Sequence, residues 1–258
     1  MQLTPDQLDA WHDHGWLNLV GALDPTTVGD LVRWLDEVNA WSESGDGPGI
    51  HHHEQTEHGP AIARSEHFAD DHGELGAFLR GGTIADVLAQ LFGEPPVLFK
   101  EKVNYKHPDG GGFAPHQDAS AYRFVDHHIS VMIPVDPATE ASGCLWFAPG
   151  HTEGLLETNG RGRLTDAVVD RLLWRPLEAH PGDVVFFDSY APHRSGTNTT
   201  DQARRVFYLT YNAASKGDFR DRYYRDKLAE FDRQGETFGD ERVRISINDD
   251  FLGKPVTP

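Results

Sequence analysis

The first third of the chain places apolar residues at the spacing of amphipathic helices. Capping sequences with proline in the first turn predict helices that begin near Thr4 and near Asp24. A third helix is predicted from about Thr83 until Gly93. Residues 45–60 hold glycines, prolines and three consecutive histidines without a periodic pattern, so they are predicted to form a loop that could cover a site.

From Val97 onward the pattern changes to short apolar strands separated by turn residues. The clearest predicted strands are residues 97–106, 129–134, 143–148, 183–187 and 205–211. Residues 164–173 are predicted to be a helical insertion, and residues 218–234 a helix that packs across the outside.

Helices followed by many short strands predict one mainly β domain with flanking helices. Its core is expected to be a double-stranded β-helix, which is a jelly-roll or cupin-like fold, over residues 96–215. Residues 1–95 would form a mainly helical N-terminal part, and residues 216–258 a C-terminal extension.

Composition narrows the class of partner. The chain has 258 residues and a formal net charge of −18, and a protein this acidic is repelled by nucleic acids and by anionic membranes. The single cysteine, Cys144, excludes an internal disulfide framework, and the N-terminus lacks the pattern of a signal peptide. We therefore expect a cytoplasmic protein with a small-molecule substrate; the sequence does not indicate an oligomeric state.

Two segments supply ligands for one metal ion. His116 and Asp118 are two residues apart after a glycine-rich turn, and on an extended segment their side chains would point the same way. His193, which lies after the predicted strand 183–187, adds a second imidazole. Two histidines and one carboxylate with open coordination positions are typical of non-haem iron(II) oxygenases. In a chain with 15 histidines an HxD pair alone is weak evidence, so the interpretation depends on the residues after His193.

An arginine and a serine after His193 predict a site for a carboxylate. Arg204 stands eleven residues after His193 at the start of a predicted strand, and a guanidinium can bind a carboxylate through two hydrogen bonds. The hydroxyl of Ser195 could reach the same carboxylate. Such a site suits 2-oxoglutarate, whose oxo-acid end would chelate iron. In isolation Arg204 would more often form a surface ion pair, but the neighbouring ligands favour the co-substrate.

The ordered set of motifs resembles the phytanoyl-CoA dioxygenase family of iron(II)- and 2-oxoglutarate-dependent oxygenases. The resemblance covers nearly the whole chain, and its pieces are residues 7–16, 116–118, 142–151, 181–187 and 193–198 with Arg204. It implies a double-stranded β-helix, iron(II), 2-oxoglutarate and O₂ as co-substrates, and oxidation of a substrate C–H bond. Related halogenases have a small residue in place of the carboxylate, so the presence of Asp118 favours hydroxylation.

The predicted strand before the HxD pair carries basic residues on one face. Alternation places Lys100, Lys102, Asn104 and Lys106 on the same side. If this side faces the iron, Lys102 and Asn104 are predicted to contact the co-substrate, and Lys100 and Lys106 a small anionic or zwitterionic substrate, such as a phosphonate or an amino acid. Otherwise it is the solvated face of an edge strand, where lysine is common. Arg64 is a further candidate substrate contact, because the family's N-terminal segment approaches the site.

Three further residues are candidates for the substrate side of the iron, although each is equally compatible with a packing role: Gln117, Tyr122 and Trp146.

Two other functions are also compatible with the ligand set. A zinc hydrolase could use the same three ligands, but it leaves Arg204 and Ser195 without a role. A cupin-like protein could bind a metal or a small ligand without turnover.

Overall fold

The computed structural model describes residues 1–43, 47–121, 124–150, 153–159 and 162–235, together with 243–244 and 252–253. The helices are α1 (Pro5–His14), α2 (Pro25–Glu43), α3 (Gly73–Arg80), α4 (Gly82–Phe92), α5 (Asp166–Val169) and α6 (Arg220–Gly235). The first seven strands are β1 (Trp16–Leu19), β2 (Ile50–Thr56), β3 (Gly59–Glu66), β4 (Pro96–Lys106), β5 (Phe113–His116), β6 (Ile129–Pro134) and β7 (Leu145–Phe147). They are followed by β8 (Arg175–Leu177), β9 (Val184–Asp188), β10 (His193–Ser195), β11 (Arg204–Ala213), β12 (Val243–Arg244) and β13 (Leu252–Gly253).

Two antiparallel sheets pack against each other. The large sheet has the strand order β1-β9-β6-β11-β4-β3-β2, and the small sheet has the order β5-β10-β7-β8. Strand β11 lies in the middle of the large sheet and pairs with both β4 and β6. Strands β12 and β13 pair with each other. These two sheets with flanking helices form the double-stranded β-helix core that the sequence predicts.

Alternate residues of the central strands face different layers. In β6, Val131 and Ile133 pack with the helices, whereas Met132 packs with Phe147 of the small sheet. Because helices cover one face of the strand and the small sheet covers the other, every residue of β6 is buried. This double coverage explains why the strand has a continuous apolar run.

The predicted N-terminal helices are confirmed. Helix α1 begins with a capping box between Thr4 and Gln7, and α4 is followed by Gly93 in the left-handed conformation at φ +74°. Helix α2 buries Leu31, Trp34, Leu35 and Val38, as expected for an amphipathic helix. Within the described part of the chain, no helix combines the length and apolar character needed to cross a membrane.

Two expectations about local structure were wrong. Residues 45–60 were predicted to be a loop, but β2 begins within them at Ile50 and forms a hairpin with β3. Many side chains of this hairpin are polar and pair with other polar groups, so it lacks the apolar alternation that marks a strand. The mainly helical N-terminal part also contributes three strands, β1, β2 and β3, to the large sheet. The predicted helix at residues 164–173 is only the short α5, and α3 was not predicted.

The C-terminal helix α6 packs against β4, as expected for residues 218–234. Its buried side chains are unusual for an outer helix, because they include the charged residues Arg220 and Lys227 beside Tyr224. Arg220 forms an ion pair with Glu101 of β4. Helix α6 therefore docks through polar groups, and it brings charged side chains towards the interior.

Candidate active site

Strands of the small sheet bring the three predicted metal ligands together. His116 ends β5 and His193 begins β10, and the two residues are partners in the strand register. Asp118 begins a 3₁₀ turn instead of continuing the strand, so the expected extended geometry is wrong although the carboxylate still reaches both imidazoles. Asp118 Oδ1 lies 3.7 Å from His116 Nε2 and 3.9 Å from His193 Nε2. The three ligand atoms all lie within 4.8 Å of one another, as a shared ion requires.

Backbone and side-chain groups orient these ligands. Nδ1 of His116 is 2.7 Å from the Ala114 carbonyl oxygen, and Nδ1 of His193 is 3.0 Å from that of Ala191. A carbonyl can only accept, so each Nδ1 carries the proton and each Nε2 offers a lone pair to the centre. Two imidazole nitrogens and one carboxylate oxygen fit an iron(II) ion.

The electrostatics of the site favour the forms of the ligands that bind a metal. Burial lowers the pKa of His193 to about 4, with His116 adding to the effect. Burial raises the pKa of Asp118, but His193, His116, Lys100 and Lys102 outweigh it, and the pKa lies well below its usual range. Near neutral pH the protein therefore presents a neutral imidazole at His193 and an ionised carboxylate at Asp118, which is what coordination needs.

A cavity lies between the two sheets at the metal ligands. It is lined by Lys102, Asn104, Phe113, His116, Asp118, Ser130, Leu145, Phe187, His193, Tyr208 and Thr210. Strand β4 is an interior strand, flanked by β11 and β3. The alternative in which its basic face is the solvated side of an edge strand is therefore wrong, and Lys102 and Asn104 face the metal ligands.

Two cations and a serine form a second group beside this cavity. Arg204 and Lys106 are partners in the register of β11 and β4, and both donate to the carbonyl oxygen of Gly143, at 2.9 and 3.2 Å. Lys106 Nζ also donates to Ser195 Oγ at 3.0 Å. Gly143 has a φ of +75°, and a Cβ at this position would lie 2.9 Å from Lys106 Nζ. Only glycine allows this close approach.

This second group fits the far carboxylate of 2-oxoglutarate. Arg204 and Lys106 are almost fully buried, and among the residues that the structure describes neither forms an ion pair. Nε of Arg204 is buried without a hydrogen-bond partner. Burial and the charge of Arg204 lower the pKa of Lys106 to about 7. Lys106 Nζ already donates to Gly143, Ser195 and Gly196, whereas Arg204 keeps a free donor that an incoming carboxylate could accept from. Lys106, predicted as a substrate contact, thus lies with Arg204 and Ser195.

A third group of basic side chains lies on the other side of Lys102. Arg64 on β3 is the register partner of Asn104, and its Nε donates to Asn104 Oδ1 at 2.9 Å. The Lys100 Nζ lies 5.6 Å from the centre of the Tyr223 ring on α6. Burial lowers the pKa of Lys100 to about 8, and the Asp118 carboxylate opposes this change. The structure therefore places Arg64, Lys100 and Lys102 close to one another and to the metal ligands.

Among the described residues, none of the predicted substrate contacts is part of the cavity lining, and two of them have structural partners elsewhere. The side chain of Gln117 is fully buried, and its amide bonds to backbone groups of Gly154, Tyr190 and Leu156. Trp146 lies on the opposite side of β7 from Leu145 and Phe147, where it packs under Arg194 with the guanidinium 5.4 Å from its ring. Both side chains have structural roles, and alternation along β7 turns Trp146 away from the ligands. Tyr122 lies outside the described residues.

Sequence reasoning missed several residues near the site. Ser130, which bonds to Asp118, is the one polar residue in the apolar strand β6, and this contrast could have identified it. Glu66 and Lys227 come from β3 and α6, and no local pattern singles them out. Only the packing of α6 against β4 brings Lys227 to this position.

Comparisons with known proteins agree with this site. Residues 11–206 match the family model described as phytanoyl-CoA dioxygenase (PhyH). The chain is 44% identical over 254 residues to a methylphosphonate hydroxylase of Gimesia maris, covering 98% of this chain and 97% of that protein. It is 38% identical over 257 residues to a 2-aminoethylphosphonate dioxygenase of an uncultured bacterium, with 98% of both chains covered.

Solved structures support the fold. The crystal structure of EctD from S. alaskensis with 2-oxoglutarate and 5-hydroxyectoine superposes with a TM-score of 0.72 at 21% identity, covering 83% of this chain and 77% of that chain. The epimerase SnoN superposes with a TM-score of 0.69 at 18% identity, covering 98% of this chain and 95% of that chain. The family match and the relatives decide against a zinc hydrolase and against a binding protein without turnover. The chain belongs to the phytanoyl-CoA dioxygenase family and is an iron(II)- and 2-oxoglutarate-dependent oxygenase.

Proposed function

We propose that this oxygenase hydroxylates a small phosphonate at a carbon bonded to phosphorus. The observation that carries the proposal is the cluster of Arg64, Lys100 and Lys102, of which Lys102 lines the cavity at the metal ligands. In a chain with a net charge of −18, basic side chains gathered in the interior indicate an anionic ligand. The two phosphonate-oxidising relatives at 44% and 38% identity support the same class of substrate.

The two groups of basic side chains would bind different anions, one the co-substrate and the other the substrate. Arg204, Lys106 and Ser195 would bind the far carboxylate of 2-oxoglutarate, because they lie together at one side of the cavity. Arg64 and Lys100, together with Lys102 in the cavity lining, would bind the phosphonate on the other side. Lys102 and Asn104 line the cavity between these groups, and Asn104 would hold the guanidinium of Arg64 in place. Iron(II) held by His116, Asp118 and His193 would supply the oxidation chemistry with O₂ and 2-oxoglutarate.

A phosphonate suits this cluster better than a carboxylate does. It carries up to two negative charges on three tetrahedrally arranged oxygens, whereas a carboxylate has one charge on two oxygens in a plane. Three cationic side chains from two neighbouring strands can approach such a group from different directions. The reacting carbon would then be held at a constant distance from the metal ligands, which is the positioning that catalysis requires.

The proposal is tested by measuring succinate formation from 2-oxoglutarate in the presence of single candidate substrates. We expect turnover coupled to methylphosphonate or 2-aminoethylphosphonate, and much less with acetate or methanesulfonate of similar size. The His116→Ala variant provides the inactive control. Efficient coupling to the carboxylate or the sulfonate, with none to either phosphonate, would contradict the proposal.

Lys102 provides a second test. Removing its charge in Lys102→Met should raise the KM for the phosphonate by about tenfold, the size of one charge-assisted hydrogen bond. Lys216→Met, which changes an exposed lysine in the 3₁₀ turn Ala214–Lys216, is the matched control and should leave the KM unchanged. An unchanged KM in Lys102→Met would place this lysine outside the substrate site.

A further inference from the structure

A buried ion pair lies next to the proposed phosphonate site. Glu66 is the register partner of Lys102, so the two side chains leave the sheet on the same face. Lys227 reaches Glu66 Oε2 from helix α6, and each side chain is 2% exposed. His52 Nε2 lies 3.0 Å from Glu66 Oε1. Both oxygens of the carboxylate are therefore bonded to protein groups.

The carboxylate of Glu66 is held in its ionised form. Burial would raise the pKa of Glu66, but Lys227, the hydrogen bond from His52 and the charge of Arg64 outweigh it, and the pKa lies well below its usual value. Besides their effect on each other, the largest charge effects on Lys100 and Lys102 come from Arg64, Lys227, Asp118 and Glu66. Asp118 belongs to the metal site, which leaves Glu66 as the carboxylate of this group that a cationic substrate could bind.

Resting on the proposed phosphonate hydroxylation, we propose that Lys227 is a specificity-determining residue. Its ammonium occupies the place at Glu66 that an ammonium on the substrate would take. The site then selects an alkylphosphonate without an amino group, such as methylphosphonate, over 2-aminoethylphosphonate.

The physical reason is the local balance of charge. Four basic side chains, Arg64, Lys100, Lys102 and Lys227, lie near the Asp118 and Glu66 carboxylates, and an incoming phosphonate would favour the charged forms of the lysines. A substrate ammonium would add a further positive charge where the Glu66 carboxylate is already bound to Lys227. It would have to displace Lys227 from Glu66, which leaves a buried lysine without its counter-ion. Specificity of this kind comes from a built-in repulsive element as well as from attraction.

The first test needs no variant. The ratio of kcat/KM for methylphosphonate to kcat/KM for 2-aminoethylphosphonate is measured in the wild-type enzyme, and we expect methylphosphonate to be preferred by at least about tenfold. Equal use, or a preference for the aminated substrate, would overturn the role of Lys227 while leaving the proposed function intact. If neither phosphonate is oxidised, the proposed function itself has failed.

The second test removes one or both partners of the Glu66–Lys227 ion pair. In Lys227→Met the Glu66 carboxylate loses its internal ammonium, so we expect the ratio to shift by about tenfold or more towards 2-aminoethylphosphonate, mainly through KM. In Lys227→Met combined with Glu66→Gln, no carboxylate remains for the substrate ammonium, and the ratio should return towards the wild-type value. This reversal would not occur if Lys227 served only to anchor the helix.

A matched control on the same helix separates specificity from docking. Tyr224 lies in α6 and its hydroxyl donates to the Glu101 carbonyl oxygen at 3.1 Å. Tyr224→Phe should therefore loosen the helix without changing the substrate ratio. If Lys227→Met leaves the ratio unchanged, or if Tyr224→Phe changes it equally, Lys227 is only an anchor. If Lys227→Met does not fold, the wild-type ratio and the more conservative Lys227→Gln decide between the two outcomes.

Discussion

Ser130 Oγ donates a hydrogen bond of 2.8 Å to Asp118 Oδ2, while Oδ1 of the same carboxylate faces His116 and His193. The two oxygens of Asp118 therefore have separate tasks. One is held by the serine from β6, and the other is directed to the position where the metal binds. Such supporting contacts orient a ligand that would otherwise rotate.

Removing this contact should weaken iron binding. We expect Ser130→Ala to lower the affinity for iron(II) by about 10- to 100-fold, the range typical for loss of a supporting hydrogen bond to a metal ligand. The measurement is an anaerobic competition titration with a coloured chelator. Ser142→Ala, which changes a serine that bonds to the Pro137 carbonyl oxygen in a turn, is the control and should retain wild-type affinity. Equal affinities in the two variants would show that Ser130 does not support the ligand.

Loss of Arg204 should weaken binding of 2-oxoglutarate. We expect Arg204→Met to raise the Kd by about 10- to 100-fold, because the far carboxylate loses its charge-assisted hydrogen bonds. Binding is followed anaerobically in the iron-loaded protein by the visible absorption of the chelate. The neighbouring Arg205 faces away and forms an ion pair with Asp136 at 2.8 Å, so Arg205→Met is a matched control. A Kd that rises equally in both variants would count against the assignment.

Binding of 2-oxoglutarate should depend on pH through Lys106. Burial, followed by the charge of Arg204, lowers the pKa of Lys106 to about 7, and a bound carboxylate would stabilise the ammonium and raise that pKa. Binding then takes up a proton above pH 7, so the Kd should increase by up to roughly tenfold per pH unit as the pH rises through this value. Below the pKa of about 7 the lysine is already charged, and the Kd should be constant. In Lys106→Met the affinity should be lower throughout and this slope should vanish; a slope that persists must come from another group.

Gln117 should matter for stability and not for substrate affinity. Its amide satisfies backbone groups of three residues, including the Leu156 N–H at 2.7 Å, and a leucine would leave them without partners. We expect Gln117→Leu to lower the free energy of unfolding by about 2–4 kcal/mol, measured by urea denaturation of the metal-free protein. Gln55→Leu, on the hairpin β2–β3, removes one amide contact and should cost less than about 1 kcal/mol. A raised substrate KM in folded Gln117→Leu, without loss of stability, would restore the substrate-contact interpretation.

Most of the fold and the metal site could be predicted because their signals are local. The apolar run of β6, the capping box of α1 and the HxD pair each lie within a few residues. Alternation along β4 was sufficient to place Lys102 and Asn104 on one face, and pairing with β11 and β3 turned that face inward. The hairpin β2–β3 was missed because its polar side chains conceal the period of a strand.

The family, the three metal ligands and the arginine that comes after them were predictable from residue types and their order along the chain. These features depend on residue types at short or constant spacings, and such spacings can be recognised before the chain folds. The tertiary structure alone decided which of the remaining candidates share the cavity. It turned Gln117 and Trp146 away, grouped Lys106 with Arg204, and brought Lys227 of α6 to Glu66 of β3. Contacts between segments 161 residues apart arise from the packing of α6 on the large sheet, and no local period in the sequence records that packing.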